Sequence, residues 1–216
     1  MLLLIGLLIE LSLLPTSGTA NHVRGILSID TKSVSCSGFN VGQDKSGRVL
    51  AVTAAHCLRQ TRALDPVLGT ESLGGYEEIV VISTETMRPL GEAAVVAKFG
   101  DLGIIAYSPT EGPIWILSVV PMPVVHPGDW LLACGIIYPA DDGLYQSVCP
   151  SGTWTGETYT YDGKTFYIAT IPVRAGMSGG PAFNRKGQVV GIYSLQITGG
   201  LAGFTPIDPV LPFISE

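Results

Sequence analysis

The sequence predicts an all-β protein, and its composition and patterning both support this fold class. Only 14% of the 216 residues are charged, whereas 27 are glycine and 15 are proline. Long surface helices carry many charged residues, so this composition favours short strands joined by tight turns. Short apolar runs recur along the chain between clusters of turn residues, as expected for antiparallel strands. A chain of this length can bury a substantial core as one compact unit.

The apolar runs fall into two sets of six, separated by a proline-rich segment. In the first half they cover residues 26–29, 34–41, 49–54, 78–82, 93–99 and 102–107. A crossing segment between two halves is indicated by five prolines, Pro109, Pro113, Pro121, Pro123 and Pro127, which disfavour a helix there. In the second half the runs cover residues 130–137, 146–154, 165–171, 180–184, 189–195 and 203–207. Residues 208–216 are long enough for one short helical turn.

The first 20 residues predict a secretory signal peptide. Residues 2–14 are apolar apart from Glu10, and Pro15 and a short polar stretch ending at Ala20 follow them. Cleavage before Asn21 would leave a mature protein of residues 21–216, secreted or otherwise extracytoplasmic. The apolar run is short for a membrane span, so no stable span is expected once the signal is removed. Because no lysine or arginine precedes this run, an uncleaved anchor stays an alternative.

Charge and histidine content exclude several classes of partner. The formal net charge is −6, and lysine and arginine form no cluster, so nucleic-acid binding is not expected. No group of histidine, cysteine and aspartate has the spacing of metal ligands, so the sequence predicts no metal and no other cofactor. His22 and His126 are expected to be solvated or structural. The sequence leaves the oligomeric state open.

Three motifs predict a nucleophilic hydrolase site. In Gly176-Met177-Ser178-Gly179-Gly180-Pro181-Ala182 the glycines permit a tight turn that aims backbone N–H groups at one point, as an oxyanion hole does. The segment Thr53-Ala54-Ala55-His56-Cys57 offers a general base, and Gly100-Asp101-Leu102-Gly103 offers a carboxylate that enters an apolar strand. A serine needs such a base, and the base needs a carboxylate to fix its tautomer. The alternatives are a turn serine, a structural histidine and a strand-end cap.

The order His56, Asp101, Ser178 and the Thr-Ala-Ala-His-Cys segment resemble the chymotrypsin-like (trypsin-fold) serine endopeptidases. The resemblance extends over nearly all of the chain after the first 20 residues. It implies two six-stranded antiparallel β-barrels, at about residues 21–112 and 122–216, with the active site in the cleft between them. It also implies cleavage of protein or peptide substrates through an acyl-enzyme, without a cofactor. The segments at 126–130 and 203–207 are more similar to bacterial branches than to animal digestive enzymes.

The resemblance assigns a role to each motif residue. Ser178 is the expected nucleophile, His56 the acid and base, and Asp101 the group that orients His56. The N–H groups of Gly176 and Ser178 would form the oxyanion hole, with glycine at 176 to leave room for the substrate carbonyl. Met177 stands where animal digestive enzymes have an aspartate that pairs with a new N-terminus. We therefore expect no such latch, and a motif held by local packing.

The resemblance also places the walls of a specificity pocket. They comprise Pro172, Val173, Arg174, Ala175, Ser194, Leu195, Gln196 and Gly203. Pro172 stands where trypsin-like relatives carry an aspartate, so we expect a preference for uncharged, small or medium apolar side chains. Arg174 either attracts an acidic substrate residue or is a solvated loop residue. Residues 194–196 could pair with a substrate backbone as an added strand.

Four cysteines follow the predicted signal peptide, and they permit three pairings. In the resembling family a cysteine just after the histidine is bonded, which implies a Cys36–Cys57 bond within the first sheet. Cys134 and Cys149 bracket a loop rich in turn residues and would form a second bond across a hairpin. Buried free thiols are the alternative for both pairs.

The sequence thus predicts a secreted serine endopeptidase, with two rivals. One is a catalytically silent protein of the same fold that binds partners, because fold alone does not determine function. The other is an esterase that uses the same three residues.

Overall fold

Antiparallel strands form most of the structure, a computed structural model that describes residues 24–64, 71–110, 114–137 and 146–214. The predicted signal peptide and His22 lie outside these ranges. The all-β fold class is confirmed. Helical structure in the described ranges consists of three short 3-10 segments, Ala55–Cys57, Met122–Val124 and Asp208–Phe213. None of these helices has the length and apolar character to cross a membrane.

The first barrel is built from six of the eight strands in the first half of the chain. These strands are β1 (Ile26–Asp30), β2 (Ser35–Gln43), β3 (Val49–Ala54), β4 (Gln60–Leu64), β5 (Glu71–Tyr76), β6 (Ile79–Ser83), β7 (Pro89–Phe99) and β8 (Leu102–Tyr107). The barrel closes in the order β1, β2, β3, β8, β7, β6. Strands β4 and β5 pair with each other as a separate hairpin, which the apolar pattern did not predict.

The second barrel has the same strand number and is also closed. The second half of the chain contains β9 (Trp130–Ala133), β10 (Gly135–Ile137), β11 (Gln146–Val148), β12 (Ser151–Tyr161), β13 (Lys164–Ala169), β14 (Pro181–Phe183), β15 (Val189–Ile197) and β16 (Leu201–Pro206). The barrel closes in the order β12, β13, β16, β15, β14, β9. Strands β10 and β11 again form a separate pair.

Two predicted strands are each divided in the structure. The runs at 130–137 and 146–154 were expected to be continuous, but each contributes one strand to the barrel and one to the β10–β11 pair. The division brings β10 against the glycine-rich loop around Ser178. A Cβ on Gly135 would lie 2.8 Å from both Met177 Cα and Ser37 Oγ, so this close approach requires glycine.

A shared apolar core joins the two barrels. One cluster of buried residues includes Phe39 and Leu102 from the first barrel together with Phe183 and Ile192 from the second. Each barrel also has a cluster of its own. Every residue of β3 and of β8 is buried, so these two strands are covered on both faces. The end of β3 and the start of β8 are therefore rigid supports for the loops attached to them.

Candidate active site

His56 lies in the 3-10 turn that follows β3, and several contacts hold this turn. The backbone N–H of Ala55 donates to the carbonyl of Asp101 at 2.7 Å, and Leu58 N–H donates back to the carbonyl of Ala55 at 3.1 Å. A disulfide joins Cys57 to Cys36 in β2. The His56 side chain keeps 42% of its surface exposed, so a substrate can reach it.

Asp101 lies at the turn between β7 and β8 and is almost completely buried, with 2% of its surface exposed. Its Oδ2 lies 2.9 Å from His56 Nδ1, and its Oδ1 accepts a hydrogen bond from the His56 backbone N–H at 3.3 Å. An ionised carboxylate only accepts hydrogen bonds, so this pairing places the proton of neutral His56 on Nδ1. The other ring nitrogen, Nε2, is then free to accept a proton.

Lys164 makes a contact with Asp101 that the sequence did not indicate. Its Nζ reaches from β13 of the second barrel to 3.1 Å from Asp101 Oδ1. Burial alone would raise the pKa of Asp101, but the hydrogen bonds and charges of His56 and Lys164 lower it below its ordinary value of 3.8. The orienting carboxylate therefore stays ionised through the neutral pH range.

Ser178 lies in the loop between β13 and β14, and this loop is packed against the first barrel. Its carbonyl accepts a hydrogen bond from Ser37 N–H in β2 at 2.8 Å. A Cβ on the next residue, Gly179, would overlap the carbonyl of Ser37 and the hydroxyl of Thr53. Ser178 is thereby held beside the end of β3, where Thr53 lies three residues before His56.

No hydrogen bond joins Ser178 Oγ to His56 in the described part of the chain. Catalytic hydrogen bonds are often long before substrate binds and tighten in the complex. The structure thus bonds His56 to Asp101 and packs the loop of Ser178 against the end of β3, the strand that precedes His56.

Some of the backbone N–H groups around Ser178 donate hydrogen bonds and others do not. The N–H groups of Met177, Gly179 and Gly180 donate to the carbonyls of Arg174, Tyr193 and Met177 at 3.2, 2.7 and 2.9 Å. By contrast, the N–H groups of Gly176 and Ser178 donate to no acceptor within the described ranges. These are the two amides that the sequence predicted for the oxyanion hole.

The structure gives a different reason for glycine at position 176 from the predicted one. Gly176 has a φ of +92°, which favours glycine strongly over other residues. A Cβ at this position would lie 2.7 Å from the carbonyl oxygen of Ile136 in β10. A side chain at position 176 is therefore excluded by the neighbouring strand β10.

The eight predicted pocket residues divide between buried and exposed positions. Val173, Ser194 and Gly203 are buried, Leu195 is half-buried, and Pro172, Arg174, Ala175 and Gln196 are exposed. The Ser194 hydroxyl is bonded to that of Thr205 at 2.8 Å. Leu195 and Gly203 are directly paired across β15 and β16. Of the eight predicted wall residues, the structure thus pairs Leu195 with Gly203 and leaves four exposed to solvent.

Tyr193 is a further candidate for the pocket that the sequence did not indicate. It precedes Ser194, is 3% exposed, and shares a core cluster with Val173 and Met177. Its backbone pairs with the serine loop, because Tyr193 N–H donates to Gly180 O at 2.9 Å and Tyr193 O accepts from Gly179 N–H. Burial raises the pKa of its hydroxyl, which therefore stays protonated.

A cluster near His56 has the distances of a metal site but not the chemistry. Ligand atoms of Cys36, His56 and Cys57 all lie within 4.8 Å of one another. The two sulfurs are joined in a disulfide, so neither is available as a thiolate. A second disulfide joins Cys134 to Cys149, and no free cysteine occurs in the described ranges.

Comparisons with known proteins point to one family. A family model described as "Trypsin-like peptidase domain" matches residues 36–192. The chain is 24% identical over 189 residues to serine protease HTRA1 of Xenopus tropicalis, covering 87% of this chain and 37% of that protein. It is 37% identical over 87 residues to a probable periplasmic serine endoprotease, DegP-like, of Pseudomonas putida, covering 38% of this chain and 18% of that protein. The chain therefore spans well under half the length of these relatives.

A solved structure shares the fold. The "Crystal structure of Rv3671c protease, inactive form" superposes with a TM-score of 0.59 at 19% identity, covering 88% of this chain and 87% of that one. At this identity the likeness concerns the arrangement of the two barrels and nothing finer.

Proposed function

The chain belongs to the trypsin-like peptidase domain family, and from this premise we propose that it is an extracytoplasmic serine endopeptidase that acts through Ser178, His56 and Asp101. The family resemblance predicted from the motifs is confirmed. The roles of the individual residues and the reaction are the proposal.

In the proposed reaction His56 Nε2 takes the proton of Ser178 Oγ as that oxygen attacks the carbonyl carbon of a peptide bond. The tetrahedral oxyanion accepts hydrogen bonds from the N–H groups of Gly176 and Ser178. His56 then protonates the leaving amine, and an acyl-enzyme remains on Ser178. Water, deprotonated by His56, attacks this ester and releases the acid. Asp101 stays ionised throughout and stabilises the imidazolium.

The observation that carries this proposal is that the backbone N–H groups of Gly176 and Ser178 donate no hydrogen bond within the described ranges. The N–H groups of Met177, Gly179 and Gly180 all donate hydrogen bonds, so within this short turn only the two amides of Gly176 and Ser178 are left for a ligand. Unbonded N–H groups that point at one place are useful where a negative charge develops. A protein that only binds partners has no need for them beside a bonded histidine and aspartate.

Strand β15 supports peptide binding beside Ser178. Its pairing with β14 ends at Ile192, whereas its pairing with β16 continues to Ile197. Within the described ranges, residues 195–197 therefore pair on one side only, and Ser194 lies at a register shift. An extended substrate can add there as a further antiparallel strand, which leads its scissile bond toward Ser178.

Two observations support an extracytoplasmic location. Both cysteine pairs are in disulfides, which persist in oxidising compartments and are rare in the cytosol. The DegP-like relative of Pseudomonas putida is named as periplasmic.

The test is labelling with a fluorophosphonate probe together with peptide hydrolysis. Wild-type protein should be labelled once, and Ser178→Ala should lose labelling and about 10⁴–10⁶ in kcat. Ser46→Ala is the matched control, because Ser46 lies in an exposed turn and bonds Asp44. Residual activity above about a tenth of wild type in Ser178→Ala would contradict the proposed nucleophile.

The same experiment separates the two rivals. A catalytically silent binding protein would give no labelling and no hydrolysis. An esterase would be labelled at Ser178 and would cleave activated esters, but it would leave matched peptides intact.

A further inference from the structure

Ser37, a buried residue of β2, makes four hydrogen bonds around the serine loop. Its hydroxyl donates to the carbonyl of Gly176 at 2.8 Å and accepts from the N–H of Ile136 at 2.8 Å. Its own N–H donates to the carbonyl of Ser178 at 2.8 Å, and its carbonyl accepts from the hydroxyl of Thr53 at 2.7 Å. The side chain is fully buried, so water does not compete for these bonds.

The two carbonyls that Ser37 binds flank the peptide that carries the Ser178 N–H. The C=O and N–H of one peptide group lie in one plane, so a hydrogen bond that holds the carbonyl also restrains the rest of that group. Bonding Gly176 O therefore fixes the Gly176–Met177 peptide, and bonding Ser178 O fixes the Ser178–Gly179 peptide. The Met177–Ser178 peptide between them is held from both sides, and its own carbonyl accepts from Gly180 N–H at 2.9 Å, so the direction of its N–H is restrained.

The neighbouring Gly176 amide lies in the turn that leads directly into this anchor. The turn closed by Met177 N–H and Arg174 O has Gly176 at its third position with φ of +92°, which is a type II turn. The alternative type I turn keeps the same closing bond but reverses the central peptide, so that the Gly176 N–H points to the other side. Glycine adopts both conformations at little cost, so a contact outside the turn must select one.

We propose that Ser37 is a positioning residue for the oxyanion hole: its hydroxyl and its N–H hold the 174–178 turn so that the Gly176 and Ser178 amides converge on the reacting carbonyl. The inference rests on the proposed function. It assigns to the first barrel a role in forming the oxyanion hole, which otherwise belongs to the second barrel.

Surrounding glycines show how closely the first barrel is fitted to this turn. A Cβ on Gly135 would lie 2.8 Å from Ser37 Oγ, and a Cβ on Gly179 would overlap Ser37 O. Met177 is fully buried in the core of the second barrel, so the turn is also held from its other side. Loss of the Ser37 hydroxyl would leave Gly176 O and Ile136 N–H without their partner.

The experiment compares Ser37→Ala with Ser28→Ala. Ser28 is the direct partner of Ser37 in β1 and is also fully buried, and in the described part of the chain its hydroxyl bonds only Asp30. For Ser37→Ala we expect kcat to fall by about 10- to 100-fold with KM within about threefold, because one complete oxyanion donor accounts for about 10²–10³. Ser28→Ala should keep wild-type kcat.

Amide hydrogen exchange provides a second readout that does not depend on catalysis. Ser37→Ala should speed exchange of the Ile136 amide and of residues 174–178, whereas Ser28→Ala should not. If Ser37→Ala does not fold, Ser37→Gly is measured in the same way. Wild-type kcat in the variant, or unchanged exchange of the turn, would overturn the inference. Failure of the proposed function would be distinct, because wild-type protein itself would then hydrolyse no peptide.

Discussion

The two barrels contribute to the candidate site in different ways. In the first barrel, β3 and β8 are buried at every residue; β3 ends two residues before His56, and β8 begins one residue after Asp101. In the second barrel, Ser178 lies on an irregular glycine-rich loop, and β12 is largely exposed. The comparison teaches that regular, fully covered strands can place a bonded side-chain pair at their ends. An irregular loop needs bonds from a neighbour to reach comparable order.

The largest expected effect comes from breaking the pair held by the first barrel. Asp101→Asn should lower kcat by about 10⁴, because an amide that donates to Nδ1 favours the wrong tautomer of His56. Asparagine has nearly the same shape, so the fold should survive. Kinetics with the exposed Asp129→Asn as control measure this effect. Retention of kcat within about tenfold would contradict the role of Asp101.

Removing each disulfide in turn tests what that bond contributes to stability and to activity. The bonds close loops of similar length, with sequence separations of 21 and 15. Loss of either pair through serine substitution should cost about 3 kcal/mol on the chain-entropy estimate. Urea unfolding measures this cost, and kinetics on folded protein should show the larger loss for the pair beside His56. Full alkylation of Cys36 in native, unreduced protein would contradict the bond.

The predicted pocket walls in the second barrel should give only moderate selectivity among substrate side chains. Pro172, Val173 and Ala175 supply no carboxylate, and an unpaired charge in a desolvated pocket is costly. We expect Val, Leu or Phe on the acyl side of the cleaved bond to be preferred over Arg, and side chains that differ by a methylene-sized group to differ by only about 1–3 kcal/mol in kcat/KM. Matched peptides with Val, Leu, Phe, Glu or Arg measure this. Best turnover of Arg would contradict it, and best turnover of Glu would assign specificity to Arg174.

The smallest effect concerns Lys164, the contribution of the second barrel to Asp101. A carboxyl whose pKa is lowered on folding stabilises the protein above its ordinary pKa of 3.8, and that stabilisation is lost as pH falls through the lowered value. Lys164→Gln should therefore reduce the free energy of unfolding by less than about 1 kcal/mol near pH 6, because the lysine is partly exposed. The difference should shrink as the pH falls below 3.8 and should vanish once Asp101 is protonated.

Urea unfolding near pH 6 and at a pH low enough to protonate Asp101 measures the Lys164 effect, with the exposed Lys186→Gln as control. A difference from wild type that persists unchanged at the lower pH would show that Lys164 acts through packing instead of charge.

Local sequence predicted the parts of the fold that depend on continuous apolar runs. The bounds of β3 and β8 agree with the prediction, because each is an unbroken apolar run that ends at polar or turn residues. The β4–β5 hairpin was missed, because residues 60–76 lack a regular apolar alternation and the hairpin lies outside the barrel. The break at Cys134 was missed because apolar residues continue across it.

The same distinction applies to the candidate site. His56, Asp101 and Ser178 each lie in a short motif whose residues are adjacent in the chain, so sequence was sufficient to propose them. The contacts of Lys164 with Asp101 and of Ser37 with Gly176 join residues 63 and 139 positions apart. Such contacts arise only when two barrels pack together, and no local pattern encodes them.

Each disulfide lies within one barrel, while the buried apolar cluster that includes Phe39, Leu102, Phe183 and Ile192 belongs to both. The halves are thus joined only by the crossing segment and by non-covalent packing. A single cut in the crossing segment should leave a nicked protein that stays together in native buffer and separates in denaturant. Expressed as two chains, each half would present its share of the common core to water, so we expect each to aggregate alone and to be rescued by co-expression with the other. The barrels should accordingly unfold together, in one transition.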